Sequence, residues 1–583
     1  MEESATSRSD RDSEVGTGSS RRAGGLARLI PVFDWAPRYQ RAWLRADLIA
    51  GLAVAALVVP KSLGYAGIAG VPIQHGLFAA AAGAILYGLF GTARQIATGP
   101  SSALAAVAGS AVVLASVSGD DAVELVAAIT VVTGLLFVLL AIFKMGWISL
   151  LLSKAVITGF LFGAAIDVVV GELPKITGTS ADGANSWRKF GDWIDGLGDT
   201  DSATLAVGVA SLAVVLAIRF SRVKVPGALV LVVGGLLASV LLDFEDAGIA
   251  LVGEVPRGFV APTLPSLSFV VDNFATIGPA AIGLLLIGFS QTAGDARAFA
   301  ARHGYRIDID QESVAQGVSN VGSGVLQGIP VSTSLSASSL NDESGAKTQL
   351  ASLTTGVLIV LTLLVLAPVF SELPNAVLAA LIIDAVVFGM MDVAEMRRLR
   401  RVARTDFWIA LAAIVGVLTA GVLAGVVIGV ALSLVWLVYI NATPAMPVLG
   451  RRPGTETFRS IDEYPDCESF AGLLVIRFDA GLFFASADAL EDRLRKLAQD
   501  SPGDISSVVV SFEGVDFIDS QGSEKIAKIH QLARTYDIDF RLARVKPAVL
   551  ELLERDGITD LLGRDHIHAS VFEAASNHIP DAS

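Results

Sequence analysis

The stretches "ATGPSSALAAVAGSAV" (Ala97–Val112) and "GIPVSTSLSASSL" (Gly328–Leu340) decide the fold. Each sets a proline before small hydroxyl residues, and each lies among long apolar runs. The chain around them has 583 residues, 53% hydrophobic and 17% charged, too little charge to cover a soluble protein of this size. Its apolar residues come in blocks of roughly the 17–25 residues that cross a hydrocarbon core. We expect fourteen segments, at 47–66, 76–92, 101–117, 123–143, 150–170, 203–220, 227–243, 276–294, 311–324, 331–343, 350–370, 375–391, 405–420 and 422–440.

The two Pro-Ser stretches open the third segment of each seven-segment half. An odd number of segments per half turns the second half upside down relative to the first. Interrupted helices at matching places in inverted repeats point to a transporter's central site. Proline at a first helical turn loses no needed hydrogen bond. A helix N-terminus leaves N–H groups free and carries partial positive charge. Two such termini meeting near the midplane would cradle an anion, with Gly99, Pro100, Ser101, Ser102, Ser332, Thr333, Ser334 and Ser336 as candidate binding residues. The plainer alternative is two kinked helices whose serines serve close packing.

Basic residues set the orientation. Arg94, Lys144, Arg219, Arg222, Lys224, Arg297, Arg302, Arg306, Arg397, Arg398, Arg400, Arg401 and Arg404 all follow even-numbered segments. The loop at 171–202, after segment 5, holds six acids and three bases. Both termini are therefore expected on the cytoplasmic side of an inner (plasma) membrane. Residues 1–45 read as a disordered cytoplasmic tail with an interfacial segment near "LARLIPVF", and no secretory signal opens it. The net charge of −14 sits mostly in the C-terminal part and one loop, so it does not argue for nucleic acid. The single cysteine, Cys467, excludes an intrachain disulfide.

After a transporter domain at 46–442 and a linker at 443–465, residues 466–578 alternate strands and helices, followed by a tail at 579–583. "GLLVIRFDAGLFFAS" reads as a strand pair, "SSVVVSF" and "DFRLARV" as strands, and "SADALEDRLRKLAQ", "SEKIAKIHQLARTY" and "KPAVLELLERDGI" as helices. That pattern is a small α/β domain with a largely parallel sheet. His530 reads as a surface residue of a helix. No nucleophile or metal-ligand set appears, so neither an enzyme nor a cofactor is expected.

The stretch "VVPKSLGYAGIAGVPIQHGLFAAAAGAILYGLFGTARQIATGPSS" resembles the opening of the sulfate permease (SulP) family. "GVLQGIPVSTSLSASSLNDESGAKTQLAS" resembles that family's segment 10 region, and "FEGVDFIDSQGSEKI" the core of a STAS domain. The resemblance implies a polytopic helical membrane protein with segments 1–4 and 8–11 as a core moving against a gate of 5–7 and 12–14. It also implies substrate held between segments 3 and 10, and a homodimer. The activity it implies is secondary active transport of a small inorganic or carboxylic anion, sulfate first, then bicarbonate or dicarboxylates. A proton or sodium ion would be the coupling partner, and a cytoplasmic protein a partner of the STAS domain. Exchange, a channel, or a non-transporting anion sensor are the alternatives.

Departures from the family pattern sharpen the site. Lys61 stands where the family has Gln, as a fixed cation near the anion, or one neutralised by a carboxylate, or one off the site. Gln291 stands where family segment 8 carries an acid, and Asp295 lies one turn on along the same face. Asp295 is the expected coupling site or the partner of Lys61; held by Arg297 or solvent, it is neither. Ala337 replaces the Arg of the mammalian exchangers. Gln521, not a serine, precedes the STAS motif's Gly522, so a phosphorylation switch there is not expected. Asp167 and Asp384, deep in segments 5 and 12, either flank the pathway from the gate or bond neighbouring helices or the other protomer.

Overall fold

The computed structural model describes residues 30–145, 153–181, 183, 185–221, 227–500 and 505–579. The tail residues 1–29, Arg222, Lys224, the first residues of segment 5 (150–152) and the end from 580 lie outside the described residues. The chain divides into two compact units, one ending at Ser433 and one from Leu434 to Ser583.

A helix lies at each of the expected segments. In the first half these are α1 (Leu44–Ile68), α2 (Gln74–Phe90), α3 (Ser102–Ala115), α4 (Asp120–Ile142), α5 (Lys154–Thr177), α6 (Ser202–Phe220) and α7 (Gly227–Leu242). In the second they are α8 (Phe274–His303), α9 (Ile309–Val325), α10 (Leu335–Glu343), α11 (Leu350–Leu361), α12 (Asn375–Met390), α13 (Arg404–Ala420) and α14 (Val422–Ala442). Among the described residues eight spans are long and apolar enough to cross a membrane, and α2, α3 and α7 are shorter apolar helices. The stretch from Ile30 to Trp43, expected in a disordered tail, instead forms short helical turns, and Tyr39 donates to the buried Asp47 of α1 at 3.1 Å.

Packing repeats between the halves when each helix is exchanged for its counterpart seven on. The α4–α9 contact matches α11–α2, α1–α11 matches α8–α4, and α5–α13 matches α12–α6. Single side chains repeat the exchange too. Near the start of α2, the His75 Nδ1 pairs with the Gln327 carbonyl beyond α9 at 2.6 Å. Near the start of α9, the buried Glu312 accepts from Thr92 N at 2.7 Å, Ala93 N at 3.0 Å, the Thr92 hydroxyl and the Tyr87 hydroxyl, at and beyond the end of α2. Each half also adds an amphipathic helix after its fifth helix, Ser186–Asp195 and Val393–Val402.

The second unit is an α/β fold. Strands β5 (Gly472–Arg477), β6 (Ile505–Ser511), β7 (Asp539–Ala543) and β8 (Ile567–His568) form one parallel sheet in that order. Helices α15 (Ala487–Asp500), α16 (Ser520–Thr535) and α17 (Pro547–Arg555) connect it, and Ile476, Phe478, Leu490, Val510, Phe512, Ile526, Phe540 and Leu553 fill its core. Three expectations change here. The second strand of "GLLVIRFDAGLFFAS" is absent: Leu482 makes one isolated bridge to Ile518, and the residues after it turn into α15. The stretch taken as a linker carries a hairpin, β3 (Leu449–Arg451) with β4 (Phe458–Ser460), that packs on β5. His530 is buried, 7% exposed, with its ring against Phe540. A polar residue on the sheet-facing side of α16 looks like a surface residue until the sheet is in place.

Candidate functional site

Two three-residue strands make the centre of the membrane unit. Strand β1 (Thr98–Pro100) pairs antiparallel with β2 (Val331–Thr333), setting Thr98 opposite Thr333 and Gly99 opposite Ser332. Ser334 N donates to the Ala97 carbonyl at 3.0 Å and closes the pair. Helix α3 leaves β1 and helix α10 leaves β2, so their N-termini emerge from one paired ribbon. The prolines are not at the first helical turns as expected. Pro100 lies in β1 before Ser101, and Pro330 immediately precedes β2, where a missing N–H costs a short edge little.

Polar side chains hold this backbone. Asn320 of α9 donates to the Val331 carbonyl at 2.9 Å and accepts from its N–H at 3.0 Å. Gln316 donates to Thr98 Oγ1 at 3.0 Å, and Ser323 to the Ile329 carbonyl at 2.7 Å. From α10, Ser338 accepts from Ala97 N and Asn341 donates to the Gln95 carbonyl, each at 3.0 Å. Extended backbone inside a membrane protein needs such partners. The Gly-Ala-Lys-Thr-Gln stretch works alike: Gln349 donates to the Ile96 carbonyl at 3.0 Å, and Thr348 bonds Asp47 through N–H and hydroxyl.

In front of the ribbon lies a cleft with about 500 Å³ of empty space, open solvent included. Lys61, Ser62 and Tyr65 of α1 line it, with Thr98, Gly99, Pro100, Ser334 and Ser336. Lys61 Nζ donates to Ser336 Oγ at 3.3 Å, and Ser336 lies 3.3 Å from Ser334 Oγ. Ser334 caps α10, accepting from Ala337 N at 3.4 Å, whereas Ser101 makes no side-chain cap on α3. One ammonium and the cleft hydroxyls thus converge beside the strand that leads into α3, without a carboxylate among the lining residues, a set of donors suited to an anion.

Not every expected residue faces the cleft. Ser332 is fully buried and donates to the Gly288 carbonyl of α8 at 3.4 Å. Thr333 donates to Asp295 Oδ2 of α8 at 2.9 Å. The ribbon thus spends two consecutive hydroxyls on the helix behind it. Ser101 is half-buried and outside the lining, and Ser102 interacts with the Tyr65 hydroxyl. Asp295 thus meets β2, while Lys61 is hydrogen-bonded to Ser336. One turn earlier the Gln291 side-chain oxygen is buried and has no hydrogen-bond partner among the described residues. Asp167 accepts from Ser186 at 2.6 Å, tying α5 to the amphipathic helix that follows. Asp384 is held by Arg219. Both carboxylates bond neighbouring helices. Arg219, read from sequence only as a charge marking a loop, is the partner that sequence reading missed.

In the C-terminal unit, the Asp519 side chain occupies the start of α16, accepting from Gly522 N at 2.8 Å and from Phe484 N at 3.0 Å.

The fold and cleft define a helical membrane transporter with a C-terminal α/β appendage. The sulfate permease family profile matches residues 44–413 and the STAS domain profile residues 464–574, so the chain belongs to the sulfate permease family of anion transporters. A probable sulfate transporter of Mycobacterium tuberculosis is 34% identical over 542 residues, covering 91% of this chain and 96% of that one. The murine Slc26a9 anion transporter, solved in an inward-facing state, shares the fold with a TM-score of 0.87 at 21% identity, over 99% of this chain and 100% of its own. The transmembrane domain of the cyanobacterial bicarbonate transporter BicA matches 67% of this chain and 98% of its own, with a TM-score of 0.58 at 21% identity.

Proposed function

We propose that this protein is a secondary active transporter of sulfate. It holds the anion in front of the β1–β2 ribbon, against Lys61, Ser334, Ser336 and the N-terminus of α3. The observation that carries the reading is the convergence of Lys61 Nζ on the α10 start, 3.3 Å from Ser336, in a cleft lined without carboxylates. The name of the mycobacterial relative supports sulfate as the substrate. Asp295 is the coupling site. It is half-buried, bonded to β2 through Thr333, and backed by the unpartnered Gln291 oxygen, so its charge state is linked to the ribbon that holds the anion. A proton or a sodium ion fits that carboxylate. The core of α1–α4 and α8–α11 carries ribbon and anion together past the gate of α5–α7 and α12–α14, in an elevator motion. The chain works as a homodimer in a bacterial-type inner membrane, with both termini and the STAS domain in the cytoplasm.

Labelled sulfate uptake into proteoliposomes, with and without an inward proton gradient, tests this on wild type and Asp295→Asn. Gradient-driven accumulation that the variant loses is the expected result. Each pH unit of gradient supplies about 1.4 kcal/mol per coupled proton, a driving force of about tenfold in concentration. No uptake of sulfate under either condition rejects it as substrate. Sodium-dependent bicarbonate uptake is then the second reading, favoured by the fold shared with a bicarbonate transporter.

A further inference from the structure

The transport reading leaves the ion pair of Arg219 with the buried Asp384 without a task. Arg219 ends α6 and Asp384 lies within α12, and they meet fork to fork, Nε to Oδ1 at 2.7 Å and Nη2 to Oδ2 at 2.6 Å. Asp384 is 8% exposed in its side chain and Arg219 39%. The guanidinium also lies over the Phe388 ring, 4.2 Å from its centroid, which fixes its plane. Helix α12 packs on α1, and a methyl added at Gly64, three residues after Lys61, would meet Ile382 at 3.0 Å. Asp384 and Arg219 both act electrostatically on Lys61, and Asp384 acts again on Tyr65. Lys61 and Tyr65 both line the cleft.

A buried carboxylate without a partner attracts any cation within reach. Were Arg219 absent, Lys61, on the helix packed against α12, is the cleft cation that Asp384 would draw. A bidentate guanidinium saturates both carboxylate oxygens at once, which a single ammonium cannot do. We propose that Arg219 is a positioning residue: by saturating Asp384 it keeps the Lys61 ammonium available to the transported anion. The pair therefore sets anion affinity without touching the anion. This inference rests on the reading of Lys61 as an anion contact.

The test is a cycle of variants of the full chain, purified in detergent. Sulfate binding is measured by calorimetry, and uptake KM and maximal rate in proteoliposomes. Arg219→Gln should weaken sulfate binding about tenfold or more, raising KM more than it lowers maximal rate. Arg219→Gln with Asp384→Asn should return the affinity to within about twofold of wild type, because no free carboxylate remains. In a Lys61→Met background, Arg219→Gln should change the affinity no further. A fold role alone would give equal losses in both backgrounds, and that result overturns the inference while sparing the site. A Lys61→Met variant that binds sulfate as wild type does overturns the site reading and this inference together. Asp384→Asn keeps the test decisive should Arg219→Gln not fold: its sulfate affinity should equal or exceed that of wild type, and a loss of more than about threefold overturns the proposal.

Discussion

Lys61 and Glu312 show two opposite uses of a charge inside this membrane unit. Lys61 has one hydrogen-bond acceptor, Ser336, and a cleft in front of it. Replacing it by Met should weaken sulfate binding about tenfold, read by calorimetry, since a charge-assisted contact to the anion is lost. Glu312 is enclosed and accepts four hydrogen bonds from Tyr87, Thr92 and Ala93. Glu312→Ala should lower the unfolding free energy by about 3 kcal/mol, seen as a drop in melting temperature in detergent, because four donors lose their acceptor. His530 shows a third case, outside the membrane. Burial pushes its imidazole below the usual value of 6.5, so the unfolded chain takes up a proton that the folded one resists. The sign follows directly: stability is constant above that value and falls as pH drops through it. Calorimetric melting of the C-terminal unit should show this fall as pH drops below about 6.5 in wild type and not in His530→Phe.

At the scale of elements, the β1–β2 ribbon is held by close backbone approaches as well as by polar side chains. Gly83 of α2 faces β1 so closely that a Cβ there would sit 3.2 Å from the Gly99 Cα and the Thr98 carbonyl oxygen. Both neighbours are backbone and cannot rotate away. Gly83→Val should therefore shift β1, leave the helices folded, and reduce sulfate uptake more than about tenfold. The ribbon itself was half legible in the sequence. The Pro-Ser stretches stood out because they interrupt apolar runs, and their matched positions paired them. The strands did not stand out, because three residues are too short to show an alternation. Which hydroxyls face the cleft could not be read either. That follows from strand register, and register here is set by Asn320, Gln316 and Ser338, polar residues of Gly- and Ser-rich helices with little apolar signal.

At the scale of the whole molecule, the run of apolar helices was legible because apolar block length is a local signal. The pairing of Arg219 with Asp384 was not, since it joins residues 165 positions apart and the arginine also obeys the loop-charge rule. His530 was misread for the same reason: its neighbour Phe540 belongs to a strand, and only the assembled sheet covers it. Exchange of equivalent contacts between the halves means that substitutions at counterpart positions act alike. His75 and Glu312 make such a pair, so His75→Ala should destabilise too. It loses one contact where Glu312 loses four, so the drop in melting temperature should be the smaller, near 1 kcal/mol in free energy.

The pairing of Gly99 with Ser332 also sets a schedule for the ribosome. These residues are 233 positions apart, so at about 5–20 residues per second the first strand waits roughly ten to fifty seconds for the second to be made. Through that interval the first half of the protein is already in the bilayer with an open strand edge at its heart, a state that hydrocarbon penalises by several kcal/mol per group. A nascent chain stalled before Val331 should therefore stay wet at Thr98–Pro100 and open to labelling of an introduced cysteine there. One stalled after α10 has left the exit tunnel should be closed to the same reagent.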